Sequence, residues 1–221
     1  MDQSGISYAI GSNNLEMEMA GGDIPFPVSM TMAELGLNLQ MPVSKSDEEQ
    51  EFGLGLLLGD FTMSDLIWGI FDPAAQLPRD PATIALDATG TAKLFTDLMD
   101  PEQVATTAMP GELNTLSLNN LIVSLVGAEL TGDGNFVFDN SDTVSFDGFP
   151  KPVGEVNLGL AGGNALLDKL VAMGFVTEDQ AMGARMMVGL FAVPGDGEDT
   201  LKSKIEFTED GQIKANGQRL K

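Results

Sequence analysis

The sequence predicts a mainly antiparallel β protein, α+β or mostly β in class, with a few short helices packed on one face of a long, curved sheet. Three observations carry this expectation. Apolar residues recur at every second position over much of the chain, Gly, Asn and Asp bends separate these runs, and helical spacing is confined to a few short stretches. The chain, residues 1–221, reads as a single β-rich domain.

Ile6, Tyr8 and Ile10 alternate as in a strand and meet a turn-like Gly11-Ser12-Asn13-Asn14, as though the chain opens in mid-sheet. Leu15, Met17 and Met19 then alternate with Glu16 and Glu18, and Leu35, Leu37, Leu39 and Met41 keep the two-residue period of a half-buried strand. After a charged loop at 44–51 (SKSDEEQE), Phe52, Leu54, Leu56 and Leu58 resume the alternation, with Gly53 and Gly55 on the other side. Those glycines thin one face of the sheet, either at a bend or where a neighbour packs closely. Ser64 and Asp65 are the N-cap and first-turn acid of a short helix that runs through Trp68 to Ile70 and ends at Asp72-Pro73. Trp68, the single tryptophan, reads as a buried anchor under the sheet, with a ligand cleft as the alternative. Residues 74–81, with Pro78 and Pro81, form a rigid connector.

A strand-then-helix unit then occurs twice, at 82–99 and 154–173, which suggests internal duplication. In the first copy Ile84 and Leu86 alternate and residues 92–99 (AKLFTDLM) have helical spacing. In the second, Val156, Leu158 and Leu160 alternate and residues 165–173 (ALLDKLVAM) follow as a helix. Gly90 and Gly162 stand at the corresponding joints. Between the copies, Asp100-Pro101-Glu102-Gln103 supplies the cap, N1 proline and N3 glutamine of a helix start. A meander follows from Leu113 to Val144, with turn residues at Asn119-Asn120, Gly132-Asp133-Gly134 and Asp139-Asn140. Gly174 stops the second helix, and Thr177 with Gln180 forms a capping box. Met182, Met186, Met187, Leu190 and Phe191 form the apolar face of a further helix. Asp210-Gly211 is a two-residue signal for a type I′ hairpin near the end.

Composition narrows the chemistry. The chain has no histidine and no cysteine, so it has no side chain that titrates near neutrality unperturbed and no imidazole or thiolate ligand. Ser-His-Asp catalysis and transition-metal function are excluded, leaving carboxylates, lysines and oxygen-ligated ions. With 33 acidic and 11 basic residues and a net charge of −22, the chain repels phosphate backbones and anionic membranes, so nucleic acid is not an expected partner. The acidity itself is read as a solvated surface, with cation binding as the alternative. No apolar run approaches the ~20 residues of a transmembrane helix, and the first residues, MDQSGISYAI, lack the basic and hydrophobic regions of a secretion signal. The chain is therefore read either as cytosolic or as starting inside a longer protein.

Two acidic runs are the candidate ion sites: Asp133, Asp139 and Asp142, and Asp196, Glu198 and Asp199. Neither has the order of an EF-hand, and ordinary turn chemistry accounts for both, so no metal and no cofactor is assigned. A carboxylate pair could hydrolyse a glycoside, but one Trp and one Tyr offer few platforms for a sugar. Lys45, Lys93, Lys151 or Lys169 would serve as a nucleophile only if desolvated, and each has polar sequence neighbours. No catalytic residue is assigned, and the chain is read as a non-enzyme. The methionines near Met173 and Met182 are read as core filling, with a lipid groove as the sharper alternative. Lys202, Lys204, Lys214, Arg219 and Lys221 cluster in the last twenty positions beside Glu206 and Glu209. They are read as cross-strand ion pairs, with docking of an acidic partner as the alternative.

Residues 162–221, together with MPVSKSDEEQEFGL, FDPAAQLPRDPATIALD and PGELNTLSLNN, resemble domain-of-unknown-function family 2125 of alphaproteobacteria, over essentially the whole chain. The closing IEFTEDGQIKANGQ is also similar in style to domain-of-unknown-function family 945. The resemblance implies a periplasmic protein of the Gram-negative envelope, longer at its amino end, of which this chain is the carboxy-terminal half. It transfers no catalytic or binding residue. Three functions follow as expectations: a non-enzymatic interaction or structural scaffold with an envelope protein partner, a binder or carrier of lipid or another apolar ligand, and, last, a carboxylate-based hydrolase.

Overall fold

In the computed structural model, which describes residues 5–21, 24–107 and 109–221, eleven strands form one open antiparallel sheet with four short helices outside it. Strand makes up 54% of the chain and helix 18%, so the mostly β, antiparallel expectation holds. The strands are β1 (Gly5–Gly21), β2 (Ile24–Pro42), β3 (Gln50–Met63), β4 (Ala82–Leu94), β5 (Gly111–Leu125), β6 (Ala128–Asp139), β7 (Lys151–Ala161), β8 (Val193–Pro194), β9 (Thr200–Phe207), β10 (Ile213–Ala215) and β11 (Gln218–Arg219). They lie side by side in chain order, except that β9 follows β7 directly and β8 pairs with the outer side of β9.

Register follows the hydrophobic alternation. Leu35, Leu37 and Leu39 of β2 stand opposite Leu58, Leu56 and Leu54 of β3, and Leu58 and Leu56 stand opposite Ile84 and Leu86 of β4. The row continues through Val123 and Leu121 of β5, Leu130 of β6, Leu160 of β7 and Leu201 of β9. Because side chains alternate with period two, a slip of one residue anywhere would turn a whole row to the other face, and the pairing is fixed accordingly.

Irregularities fall where the sequence suggests turns. The quartet Gly11-Ser12-Asn13-Asn14 does not reverse the chain; β1 runs straight through it, with Asn14 at φ +52°. Asp60 of β3, at φ +48°, lies across β2 from Asn14, and the β3–β4 register shifts between Leu58 and Phe61. This kink brings Leu58 and Phe61, three apart, onto one face, as a bulge does. Asn119-Asn120 is a second such shift inside β5, and Gly132-Asp133-Gly134 lies within β6. The β5–β6 hairpin instead turns at Val126-Gly127, both with positive φ (+49° and +83°), the geometry of a type I′ turn. Asp139-Asn140 does open a turn after β6. Gly53 and Gly55 are in unbroken register with both neighbours, and the bend falls at Gly59-Asp60.

The helices are α1 (Asp65–Phe71), α2 (Pro101–Thr106), α3 (Gly163–Ala172) and α4 (Glu178–Phe191). Asp100 caps α2 through the Glu102 and Gln103 N–H groups, and Thr177 and Gln180 form the capping box of α4, both as the sequence predicts. Residues 92–99 are not helical. β4 continues to Leu94, with Ala92 opposite Leu113 and Leu94 opposite Gly111, and the chain beyond is tied by Phe95 N–H to Pro110 O (2.9 Å) and Leu98 N–H to Val43 O (2.8 Å). Strand pairing outranks the local helical spacing there. The strand–helix unit therefore exists at 154–173, as β7 and α3, without a helical counterpart at 82–99.

Trp68 is buried, as expected, with Phe71 at 5.4 Å and the Arg79 guanidinium 5.4 Å above its ring. Beside it Asp72, wholly buried, accepts the N–H groups of Gln76 and Leu77 (2.9 Å each) and so folds the start of the proline connector. Burial raises the pKa of this carboxyl, but the two N–H donors and Arg79 outweigh it and hold it below the ordinary value.

Candidate functional site

The register divides the sheet into two unlike faces. One carries Ile6, Tyr8 and Ile10 from β1, the leucine rows of β2 to β5, Phe136 of β6, Val156, Leu158 and Leu160 of β7, Ile205 and Phe207 of β9 and Ile213 of β10. Among the described strand residues, no Asp, Glu, Lys or Arg projects on this face from β1 to β10. At the β1–β3 end its side chains stay accessible, including Ile6, Tyr8, Ile10, Leu39, Met41 and Leu54. At the other end α4 crosses it and flanks an open groove of about 340 Å³, lined by Leu130, Leu158, Leu160 and Leu201 of the sheet and by Met187, Val188 and Phe191 of the helix.

The methionine-rich face of α4 is oriented opposite to the core-filling expectation. Ala181 is the buried residue of that helix, while Met182, Met186, Met187 and Leu190 are 59–65% exposed and Phe191 is 42% exposed. The thioethers of Met182 and Met186 are left on the outer side, while Met187 lines the groove beside the sheet.

The opposite face is polar and knit by cross-strand hydrogen bonds. Asn119 donates to Asp87 (3.3 Å) and Thr89 (3.1 Å), Thr91 bonds Thr115 (2.9 Å) and Glu49 (2.8 Å), and Asn157 donates to Asp133 (3.0 Å). A groove of about 620 Å³ lies where Gly36, Gly53 and Gly55 remove side chains, between Asn38, Asp87, Thr89 and Asn120. Nothing packs closely against those glycines: a Cβ on Gly55 would sit 3.5 Å from Asn38 and one on Gly53 3.7 Å from Thr89, both ordinary contacts.

The acidic runs are engaged in local structure. Asp139 accepts Ser141 N–H (3.1 Å) and Oγ–H (2.6 Å), Asp142 accepts Val144 and Ser145 N–H (3.2 and 3.1 Å), and Lys151 Nζ lies 3.3 and 3.9 Å from the two carboxylates. The Ser141 hydroxyl for Asp139, and the Ser145 N–H for Asp142, are the main causes that lower these two pKa values. Asp133 is taken up by Asn157 and Asp196 pairs with Lys202 at 3.8 Å. Among the described residues no three acidic side chains converge as an ion would require. Of the candidate nucleophiles, Lys151 is ion-paired with Asp139 and also donates to Glu209 O. Lys45 lies in the loop before β3, Lys93 on β4 and Lys169 on α3. The cross-strand reading of the terminal cations applies to Lys204, 2.8 Å from Glu155 and 3.5 Å from Glu206; the Glu155 hydrogen bond leads the causes that raise its pKa.

Asp199 has a role the sequence does not reveal. The α3 N-cap, Gly162, has no side chain, and Asp199, from the loop before β9, takes its place by accepting Asn164 N–H (3.1 Å), Ala165 N–H (2.9 Å) and Asn164 Nδ2–H (2.8 Å). Asn164 in turn accepts from Arg185 of α4 (3.0 Å), which pairs with Asp168 of α3 at 2.6 Å. This chain of contacts, with Asn216 donating to Phe191 O (2.8 Å), holds the helix pair beside the apolar groove.

A bacterial family model described as an uncharacterized protein conserved in bacteria, DUF2125, matches residues 3–220. The chain belongs to this family. The match spans nearly the entire DUF2125 chain, so the apolar face, the helix pair and the closing hairpins all lie within the family's domain. No curated protein and no solved structure matches it. No helix among its described residues is long and apolar enough to cross a membrane.

Proposed function

We propose that this DUF2125 chain binds a linear apolar ligand, an acyl chain above all, along the uncharged face of its sheet, as a non-enzymatic protein of the bacterial envelope. One observation carries the reading: among the described strand residues, a face free of Asp, Glu, Lys and Arg extends from β1 to β10 in a chain of net charge −22. A buried core explains such a face only where something covers it; α4 lies over the β6–β9 end, whereas Ile6, Tyr8, Ile10, Leu39, Met41 and Leu54 stay accessible. Each methylene taken up from water contributes about 0.8 kcal/mol, so affinity is expected to rise with the length of the acyl chain. The envelope location rests on the family resemblance. The outward Met182, Met186 and Leu190 of α4 favour a second reading, a scaffold that docks a protein partner through that helix.

The test is titration with fluorescent acyl probes of about 8 to 18 carbons, together with native mass spectrometry of the purified protein. Saturable binding is expected, weakened by Val188→Trp, which obstructs the groove beside α4, and by Leu54→Asp on the open face. Absence of saturable binding at every chain length, with no co-purified lipid, would overturn the proposal.

A further inference from the structure

The charge of the chain is unevenly placed. Residues 1–150 hold 23 acidic and 3 basic side chains, a net of −20, whereas residues 151–221 hold 10 and 8, a net of −2. The near-neutral stretch supplies one end of the sheet, where β7, β9, β10 and β11 are neighbours, together with α3 and α4. On that end α4 turns apolar side chains outward. Met182, Met186 and Leu190, four residues apart, form a stripe along one side of the helix and are 59%, 65% and 65% exposed. From Gln180 to Phe191 the single charged residue is Arg185, and its guanidinium is held by Asn164 (3.0 Å) and Asp168 (2.6 Å) of α3. Phe175, between α3 and α4, and Val193, just after α4, add to the exposed apolar surface. The sheet side of the same helix, at Met187, Val188 and Phe191, forms one wall of the apolar groove. Stripe and groove therefore share one element.

We propose that α4 docks on a lipid bilayer: the stripe enters the interfacial layer of the membrane and sets the groove beside it against the acyl chains from which a ligand is drawn. The drawing of a ligand rests on the acyl-binding reading above; the docking is a separate property of α4. Charge favours this occupant. Phosphate headgroups repel an acidic surface, and residues 151–221 are the part of the chain that comes near neutrality, so this end can approach a membrane while the rest is held away. A second copy of the chain would bring a further −22 to the same surface. Side-chain chemistry agrees, because unbranched thioethers adapt to a partner without fixed shape, as hydrocarbon tails are. The order of residues along α4 sets the depth. Glu178 and Asp179 open the helix and stay at headgroup level, while the turns from Met182 to Leu190 enter by the about 5–10 Å typical of an interfacial helix. No row of lysines accompanies the stripe, so attraction is apolar and a neutral bilayer is the preferred target. Anionic lipid weakens the contact and salt restores it.

Cosedimentation with phosphatidylcholine vesicles tests this. Wild type is expected to sediment with the vesicles, and Met182→Asp/Met186→Asp to reduce the bound fraction at least tenfold with unchanged circular dichroism. Ile70→Asp, at an equally exposed apolar position on α1, should leave it within twofold. The chain has no cysteine, so Met186→Cys and Ile70→Cys each accept one environment-sensitive dye. The dye at position 186 should shift to the blue on adding vesicles, and the dye at 70 should not. Wild type that ignores vesicles, as a helix reserved for a protein partner would, overturns the proposal. So does equal loss in the α1 and α4 aspartate variants, or a dye at 186 that stays in water on vesicle-bound protein. If the double variant misfolds, the two dye positions decide. The double variant should keep wild-type affinity, within twofold, for a soluble acyl probe of about 8–10 carbons, since neither Met182 nor Met186 lines the groove. Acyl binding without vesicle binding would refute the docking and leave the ligand reading intact; vesicle binding through α4 without acyl binding would sustain the docking and refute the ligand reading.

Discussion

Replacing Asp199 tests whether one carboxylate anchors the helix pair to the sheet. In Asp199→Ala the first-turn N–H groups of Asn164 and Ala165, now 3.1 and 2.9 Å from the carboxylate, lose their acceptor, and Gly162 has no side chain to replace it. Loss of a cap costs about 0.5–2 kcal/mol, and hydrogen bonds to a charged group are at the stronger end, so about 2 kcal/mol is expected. In a domain of this size that corresponds to a fall of about 4–8 °C in Tm. Asp199→Asn keeps one acceptor oxygen and tolerates φ +48°, so about half that loss is expected. The pH dependence has a definite sign. Burial raises the Asp199 pKa, but the Ala165 and Asn164 donors and Arg185 outweigh it and hold the value below that of an unfolded aspartate. The stabilisation is therefore complete above the unfolded pKa of about 3.9 and is lost as pH falls through the folded value. Chemical denaturation of wild type and Asp199→Ala at neutral pH and near pH 3 reads both quantities. A gap below about 0.5 kcal/mol at neutral pH, or one that does not narrow in acid, would refute the capping role.

Two further substitutions probe local geometry. Gly211 has φ +78° with open space around its Cα, so Gly211→Val should cost about 1–2 kcal/mol through backbone strain alone; unchanged thermal stability would show that the left-handed conformation is not required. On α4, Met186→Lys should change stability by less than about 0.5 kcal/mol while Ala181→Leu costs about 1–3 kcal/mol, and a reversed order in denaturant melts would mean the helix is turned the other way.

The strands were legible because a half-buried sheet repeats every two residues, and Leu35 to Met41 or Phe52 to Leu58 display that rhythm without help from distant parts of the chain. Capping was equally local: Asp100 and Thr177 each find their partners within three residues. The misread positions share a cause. Asn14 and Asn119 use turn chemistry to kink strands whose ends are held by neighbours, and pairing partners are not visible in the one-dimensional pattern. Asp210-Gly211 does lie in a hairpin loop, but Gly211 alone has positive φ there, with its N–H on Thr208 O (2.9 Å). The two-residue type I′ turn is instead Asn216-Gly217, which joins β10 to β11. The direction of α4 was hidden because spacing identifies a helix's apolar stripe without saying whether that stripe meets the protein. Asp199 was unreadable as a cap, since thirty-five residues separate it from Asn164.

From β1 to β7 every strand is bonded to the one that precedes it in the chain, and only the excursion through α3 and α4 breaks that succession. Such a layout is extensible. Inserting one more hairpin anywhere in the series would widen the greasy track by two inter-strand spacings, roughly 10 Å, without rethreading what is already there. Relatives of different length could thus differ chiefly in how many rungs they possess.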